Sequence, residues 1–338
     1  MLGLTQPKIS PLPTDLDLTG QTAVVTGATA GLGLEISKQL LQLRISTIIL
    51  AVRNVSKGEA CAESLRRDPV VKKQNPKAVI KVMELDVDRY DSVQAFAKRL
   101  RDQVPIVNLL VLNAGIARLK LERSPSGHER TTQVNYYSNV LLIAELLPYL
   151  QTGAEKTGSP ARITWVGSRA YLSATVEQKY SALGRGHQQS GNKEGVLQYM
   201  DKEEAFLGTR RYGDSKLLCV LFMYALAERL DPAKVVVNMM CPGMVNTGMS
   251  DILPFYARPF MNAFKFFRAR SVEVGAGIVL HSALVAGPES HGRFLDDTTI
   301  AEQSTYIKSA EGQEVQKRVW DETVAEMGRL TTLPAEFR

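Results

Sequence analysis

Short runs of consecutive apolar residues recur along the chain, separated by longer stretches in which apolar side chains return every three or four positions. The runs at 22–26, 47–51, 79–84, 108–112, 162–166 and 234–240 are rich in β-branched residues and predict strands. The stretches at 32–43, 55–67, 92–103 and 134–150 have helical periodicity. The strand runs are continuously apolar rather than alternating, so both faces of each strand are expected to be covered. Alternation of strand and helix predicts an α/β fold, a doubly wound parallel sheet of Rossmann type with right-handed crossovers. A strand near 292–295 brings the count to seven.

No internal repeat and no linker breaks this pattern, which predicts one domain of Rossmann type over 20–300. A Pro-rich arm, 1–19, precedes it, and a tail, 301–338, follows with an amphipathic helical pattern in SAEGQEVQKRVWDETVAEM. Two stretches interrupt the alternation. Residues 172–208 are polar, contain GRGHQQSGNKEG, and read as an insertion. Residues 251–270 are aromatic with interspersed Arg and Lys, within a stretch, 248–270, that departs from the strand and helix pattern.

Composition narrows the function classes. Hydrophobic residues make up 44% and charged residues 22%, enough apolar material for a large core. The net charge of +6 comes from scattered Lys and Arg without a basic run, which argues against a nucleic-acid partner. Three cysteines, Cys61, Cys219 and Cys241, form no C-x-x-C pair, which points to a reducing, cytoplasmic setting. Four histidines at no metal-ligand spacing predict no metal. The N-terminal residues carry prolines and no apolar h-region, so no signal peptide is expected. The longest apolar run, 217–227, is too short to span a bilayer.

The run TAVVTGATAGLGLEISKQL reads as strand, glycine turn and helix, with the spacing Gly27-x-x-x-Gly31-Leu32-Gly33 after Thr26. Glycines allow a tight turn and close approach of backbone to a pyrophosphate, and the following helix offers free N–H groups to it. A glycine triplet alone is equally an ordinary turn; the strand before it and the helix after it favour nucleotide binding.

Thr26-Gly27-x-x-x-Gly31-x-Gly33 and Asn113-Ala114-Gly115 after the fourth strand resemble the short-chain dehydrogenase/reductase family, in particular its retinol-dehydrogenase-like branch and fungal relatives, many of which act in secondary metabolism. The resemblance runs from about residue 19 to 300 and implies a nicotinamide cofactor. It implies that Asn113-Ala114-Gly115 supports the sheet beside the adenine ribose and that Asp86-Val87 meets the adenine ring. Pro242, Gly243, Val245 and Thr247, in CPGMVNT, match the family's segment at the nicotinamide and diphosphate.

The second strand ends in ILAVRN, with Arg53 where an acidic residue would bond a ribose 2′-OH. A guanidinium fits a 2′-phosphate instead, so NADP(H) is expected, with Asn54 and Lys57 assisting. The bland alternative is a surface arginine beginning a helix.

Tyr212-Gly-Asp-Ser-Lys216 sets a phenol and an ammonium one helical turn apart, on the same side. A phenol loses its proton in water only near pH 10, too high for efficient acid–base work at neutral pH, and a nearby cation favours the phenolate. Such a pair is common by chance, but this is the chain's only one and it opens a helix where the resemblance requires it. The resemblance further implies that Ser168, ending the fifth strand, orients the substrate oxygen, although a plain helix cap would also account for it. Asn135 matches the family's helix asparagine, which holds a water that relays protons through the lysine; Asn139 competes with a poorer spacing.

These readings predict reduction of a carbonyl, or oxidation of the alcohol, of a small apolar or aromatic molecule. Phe255, Tyr256, Phe260, Met261, Phe264, Phe266 and Phe267 are the expected pocket wall. The resemblance implies that 248–270 is the substrate lid; plain packing and membrane-surface contact are the less favoured readings. In the family, the helices matching 134–150 and 216–230 form a homodimer interface; burial inside one chain explains them nearly as well. The rival from another class is a non-catalytic NADP(H)-binding regulator, which would not need Tyr212 and Lys216.

Overall fold

The computed structural model describes residues 6–174, 195–247 and 268–338. Its sheet has the strand order β3-β2-β1-β4-β5-β6-β7-β8. The strands are β1 Thr22–Thr26, β2 Thr47–Val52, β3 Val79–Glu84, β4 Leu109–Leu112, β5 Ala161–Val166, β6 Val235–Cys241, β7 Arg293–Asp296 and β8 Thr299–Ile300. Neighbours run parallel except β7 and β8, whose antiparallel turn puts Asp297 at φ 57°. The seven strands expected from the apolar runs are present, and β8 adds a two-residue eighth too short to carry a pattern.

The helices in chain order are α1 Gly31–Gln42, α2 Val55–Arg67, α3 Pro69–Gln74, α4 Tyr90–Gln103, α5 Arg130–Thr132, α6 Ser138–Thr157, α7 Val196–Met200, α8 Gly208–Ala227, α9 Val272–Leu280, α10 Thr305–Lys308 and α11 Ala310–Gly328. Successive residues of β1 feed opposite faces of the sheet. Ala23 and Val25 pack with Ile36 and Leu40 of α1 and Ile278 of α9. Val24 belongs to the core of the opposite face, which also includes Phe96 of α4, Leu141 of α6 and Leu221 of α8. Burial of the strands on both faces is why their sequences are continuously apolar. Strand order reverses between β1 and β4, which opens a crevice at their carboxyl ends.

The stretch expected as one helix over 134–150 begins instead as a π-turn, Gln133–Tyr137, that continues into α6. Such turns insert one extra residue and frequently sit at functional sites.

The C-terminal helix α11 lies against α8 and α7. Trp320 stacks on Phe222 with centroids 5.4 Å apart, and the Arg229 guanidinium sits 4.2 Å from the Trp320 ring. Phe337 is fully buried beside both rings. The Glu322 carboxylate accepts from Val196 N (2.7 Å) and Leu197 N (2.8 Å), which caps α7. Among the described residues no helix is long and apolar enough to cross a membrane.

His128 ties three parts of the chain together. Its Nδ1 lies 2.7 Å from Asp201, after α7, its Nε2 lies 3.3 Å from Glu326 of α11, and its ring stacks on Tyr137. Burial alone would pull the imidazole down, but the two carboxylates outweigh it and lift it from 6.5 to about 9. A folded-state value above the unfolded one stabilises fully below pH 6.5 and is lost as pH rises through 9. The thermal midpoint is therefore expected to fall between pH 7 and pH 10 by an amount matching roughly 2 kcal/mol. His128→Gln should flatten that fall in melts followed by circular dichroism, and an unchanged slope would refute the assignment.

Candidate active site

The crevice at the switch point is a cleft of about 510 Å3. Its walls are Gly27 and 29–33, Val52, Arg53, Asn54 and Lys57, residues 85–88 and 113–118, with Arg130, Val134 and Thr247.

The phosphate end follows from local backbone. Gly27 and Gly31 have φ of 68° and 51°, a region that L side chains resist. A Cβ on Gly33 would sit 2.6 Å from Asn113 Nδ2 and collide with the Gly27 carbonyl. Hence α1 can approach β1 and β4 this closely only with glycine there. Helix α1 starts after Ala30 with no side-chain cap and no acidic residue in its first turn, which leaves N–H groups aimed into the cleft. Thr247 closes this end, with its Cγ2 3.4 Å from the position of a Gly31 Cβ. Such a cradle fits a dinucleotide pyrophosphate.

Thr26 lies under the cleft rather than in its lining. Its Oγ1 accepts from Asn113 N and Ala114 N, both at 2.9 Å, and Asn113 Nδ2 donates to the Thr26 carbonyl at 2.8 Å. The turn after β4 is thus bolted to the end of β1, leaving Ala114 and Gly115 facing the cleft.

At the other end Arg53 is exposed, and among the described residues it has no ion-pair partner. Asn54 caps α2 by accepting from Lys57 N at 2.8 Å. Asp86 Oδ1 accepts from Asp88 N at 3.1 Å, and Val87 lies beside it in the lining. Arg118 and Arg130 also line this end, with Arg130 bound to Asp88 (2.9 Å) and Glu122 (2.7 Å). Both arginines escaped the sequence reading, because their positions carry no motif.

The residues expected to carry acid–base chemistry gather just beyond the cleft. Lys216 Nζ donates to the Val166 carbonyl at 2.8 Å and lies 5.6 Å from the centre of the Tyr212 ring. A Cβ on Gly115 would be 3.8 Å from that ammonium and 3.2 Å from Asn135 Oδ1, so the inner edge of the cleft borders both. Asn135 sits in the π-turn, fully buried. Its Oδ1 accepts from Ile116 N (2.8 Å), and its Nδ2 donates to Ile116 O and Ser215 Oγ, both at 2.9 Å. Ser215 Oγ in turn donates to the Tyr212 carbonyl at 2.8 Å. Asn139 instead donates to the carbonyls of Val134 and Asn135, which makes it a brace of the π-turn.

Ser168 caps a 3₁₀ turn, Arg169–Ser173, by accepting from Ala170 N at 3.2 Å, and its hydroxyl proton stays free to donate. Tyr212 approaches this turn because Gly213 allows it: a Cβ there would stand 2.6 Å from the Ala170 carbonyl oxygen. Tyr212 itself is only half-buried. By contrast, burial holds the phenols of Tyr136 and Tyr137 well above their usual range, and it pushes the Cys219 thiol up to about 12.

Pro242, Gly243 and Val245 follow β6 but do not line the cleft. Arg270 donates to the carbonyls of Pro242 and Pro7, pairs with Asp297, and bridges to Val245 through backbone. Gln6 binds both N and O of Met244. Arm and loop are therefore fastened together, a link with no signature in the sequence. The aromatic wall expected at Phe255, Tyr256, Phe260, Met261, Phe264, Phe266 and Phe267 and the run GRGHQQSGNKEG up to residue 194 lie outside the described residues. All three cysteines are free, and among the described residues no cluster of His, Cys, Asp and Glu could hold a metal.

A family model described as short chain dehydrogenase matches residues 21–182. Short chain dehydrogenase macD of Penicillium terrestre is 65% identical over 338 residues, all of both chains. Short chain dehydrogenase yanD of Aspergillus niger is 63% identical over the same span. Among solved structures, NADPH-bound carbonyl reductase from chicken fatty liver shares 20% identity at a TM-score of 0.58, covering 84% of this chain and 99% of that one. Pseudomonas aeruginosa RhlG in an NADP complex shares 23% at 0.59, covering 84% and 97%. At such identities these two share the fold alone.

Proposed function

Since the chain belongs to the short-chain dehydrogenase/reductase family and is therefore an oxidoreductase with a nicotinamide cofactor, we propose that it uses NADPH to reduce the carbonyl of a small apolar or aromatic molecule, with Tyr212 as proton donor. The observation that carries this reading is the Lys216 ammonium, held by the Val166 carbonyl beside the Tyr212 ring at the inner edge of a dinucleotide-shaped cleft.

Residues 29–33 and Thr247 bind the pyrophosphate, Asp86 and Val87 flank the adenine, and Arg53 with Lys57 takes the 2′-phosphate. NADPH held there would supply a hydride for the carbonyl carbon. Ser168 donates a hydrogen bond to the substrate oxygen and holds it toward Tyr212. The Tyr212 hydroxyl gives its proton to that oxygen as negative charge develops there. Lys216 stabilises the phenolate left behind and holds a proton that restores it. Asn135 fixes the Tyr212 turn through Ser215.

Arg53 provides the test. With a panel of aromatic and apolar ketones and aldehydes, kcat/KM for NADPH is expected to exceed that for NADH at least tenfold, about the value of one charge-assisted hydrogen bond. Arg53→Asp should lower the NADPH value by roughly 10- to 100-fold and leave NADH nearly unaffected. Better turnover with NADH, unmoved by that substitution, would remove the NADP(H) assignment.

A further inference from the structure

Two charged side chains, Arg211 and Glu129, are fully buried and are not among the residues that line the cleft. Arg211 immediately precedes Tyr212 in the first turn of α8, a helix start that no side chain caps. Its guanidinium turns back from the helix. Nη1 donates to Met200 O at 2.6 Å, Nη2 donates to Ala205 O at 2.8 Å, and Nε faces Glu129 Oε2 at 4.0 Å without a hydrogen bond. Glu129 accepts from Thr131 N, Thr132 N and Thr132 Oγ1, all at 2.9 Å, and so caps α5, which runs directly into the π-turn carrying Asn135.

Taking both charges out of water is costly, and a buried pair is weak as a source of stability; such pairs are better kept for holding one arrangement against its neighbours. Here the arrangement is the relative register of two helix starts. One bears the phenol, the other the asparagine that grips Ile116 and Ser215. A small rotation of the first turn of α8 would swing Tyr212 away from the cleft edge while leaving the cofactor walls in place.

We infer that Arg211, paired with Glu129, is a positioning residue that sets the orientation of Tyr212 for proton transfer, and that it locks residues 200–205 to the same turn. This rests on the reading of Tyr212 as the proton donor. Neither residue lines the cleft, so the loss is expected in kcat and not in cofactor affinity.

The test compares Arg211→Met, Arg211→Lys, Glu129→Gln and the double variant Arg211→Met/Glu129→Gln with the parent, using NADPH and 4-nitrobenzaldehyde, or whichever member of the carbonyl panel turns over fastest. Arg211→Met is expected to lower kcat at least tenfold, with the NADPH dissociation constant from fluorescence titration within twofold of the parent. The limb of the kcat/KM pH profile that reports the proton donor should move, which loosened packing alone would not cause. The double variant should lose no more than Arg211→Met, because the two groups act as one unit. Arg211→Lys keeps the charge but not the fork that reaches two carbonyls, and is expected to fall between; it carries the test if the methionine variant does not fold. Unchanged kcat in the folded Arg211 variants, or a loss matched by weaker NADPH binding, overturns the inference. Tyr212→Phe run in parallel separates the failures. If it is inactive while the Arg211 variants match the parent, only the positioning role falls. If it turns over like the parent, the proton-donor reading falls and takes the inference with it.

Discussion

Tyr212→Phe is expected to lower turnover by about a thousandfold while NADPH binds as before. The substitution removes one oxygen and keeps the ring, so the half-buried position stays filled and α8 is undisturbed. Lys216 keeps its bond to the Val166 carbonyl and so stays at the edge of the cleft. Among the described residues, neither the phenols of the π-turn nor the Cys219 thiol is suited to replace the missing acid. Burial pushes Tyr136 and Tyr137 well up, and the Tyr136 hydroxyl lies 2.5 Å from that of Thr323. The Cys219 thiol, at about 12, donates to backbone carbonyls. Steady-state rates and fluorescence titration of NADPH check the two halves of the expectation separately. Turnover within tenfold of the parent would remove Tyr212 from the mechanism.

Gly33→Val is expected to weaken NADPH binding about a hundredfold or more. Even the first atom of a side chain at this position meets the Gly27 carbonyl and, at 2.6 Å, Asn113 Nδ2. Neither can yield cheaply. Gly27 forms the turn, and Asn113 Nδ2 is bonded to the Thr26 carbonyl. The start of α1 must therefore back away from the cleft, taking with it the N–H groups that would face a pyrophosphate. Each charge-assisted hydrogen bond lost there costs about 1.5–3 kcal/mol, so two misplaced donors account for the expected fall. Overpacking adds a fold-stability loss of about 1–3 kcal/mol, which a thermal melt would register apart from the titration. A folded valine variant with parental NADPH affinity would show that the glycine turn is not the phosphate site.

Most strands were legible because burial on both faces of a parallel sheet demands unbroken apolar runs, and those runs are visible without any contact information. Strand β5 was anticipated from 162 and starts at Ala161; β2 was anticipated to 51 and ends at Val52. The glycine turn and the Tyr212–Lys216 pair were legible because each acts through a fixed local spacing. The π-turn at Gln133–Tyr137 was not, since one added residue barely disturbs a helical pattern of apolar positions. Arg211 and Glu129 belong to no sequence motif; only the fold reveals that the carbonyls of Met200 and Ala205 and the start of α5 surround them. Arg270 was unreadable for the same reason, since its partners Pro7, Pro242 and Asp297 are scattered over the chain.

The tail that wraps α8 also covers one side of that helix. Phe222, which would otherwise show an aromatic face to solvent, is roofed by Trp320 and Phe337 of the same polypeptide. A second copy could reach that part of the helix only by first prising the roof off and leaving two large rings in water. The chain thus serves as its own companion on this side, and any self-association that keeps the roof in place must use other surfaces.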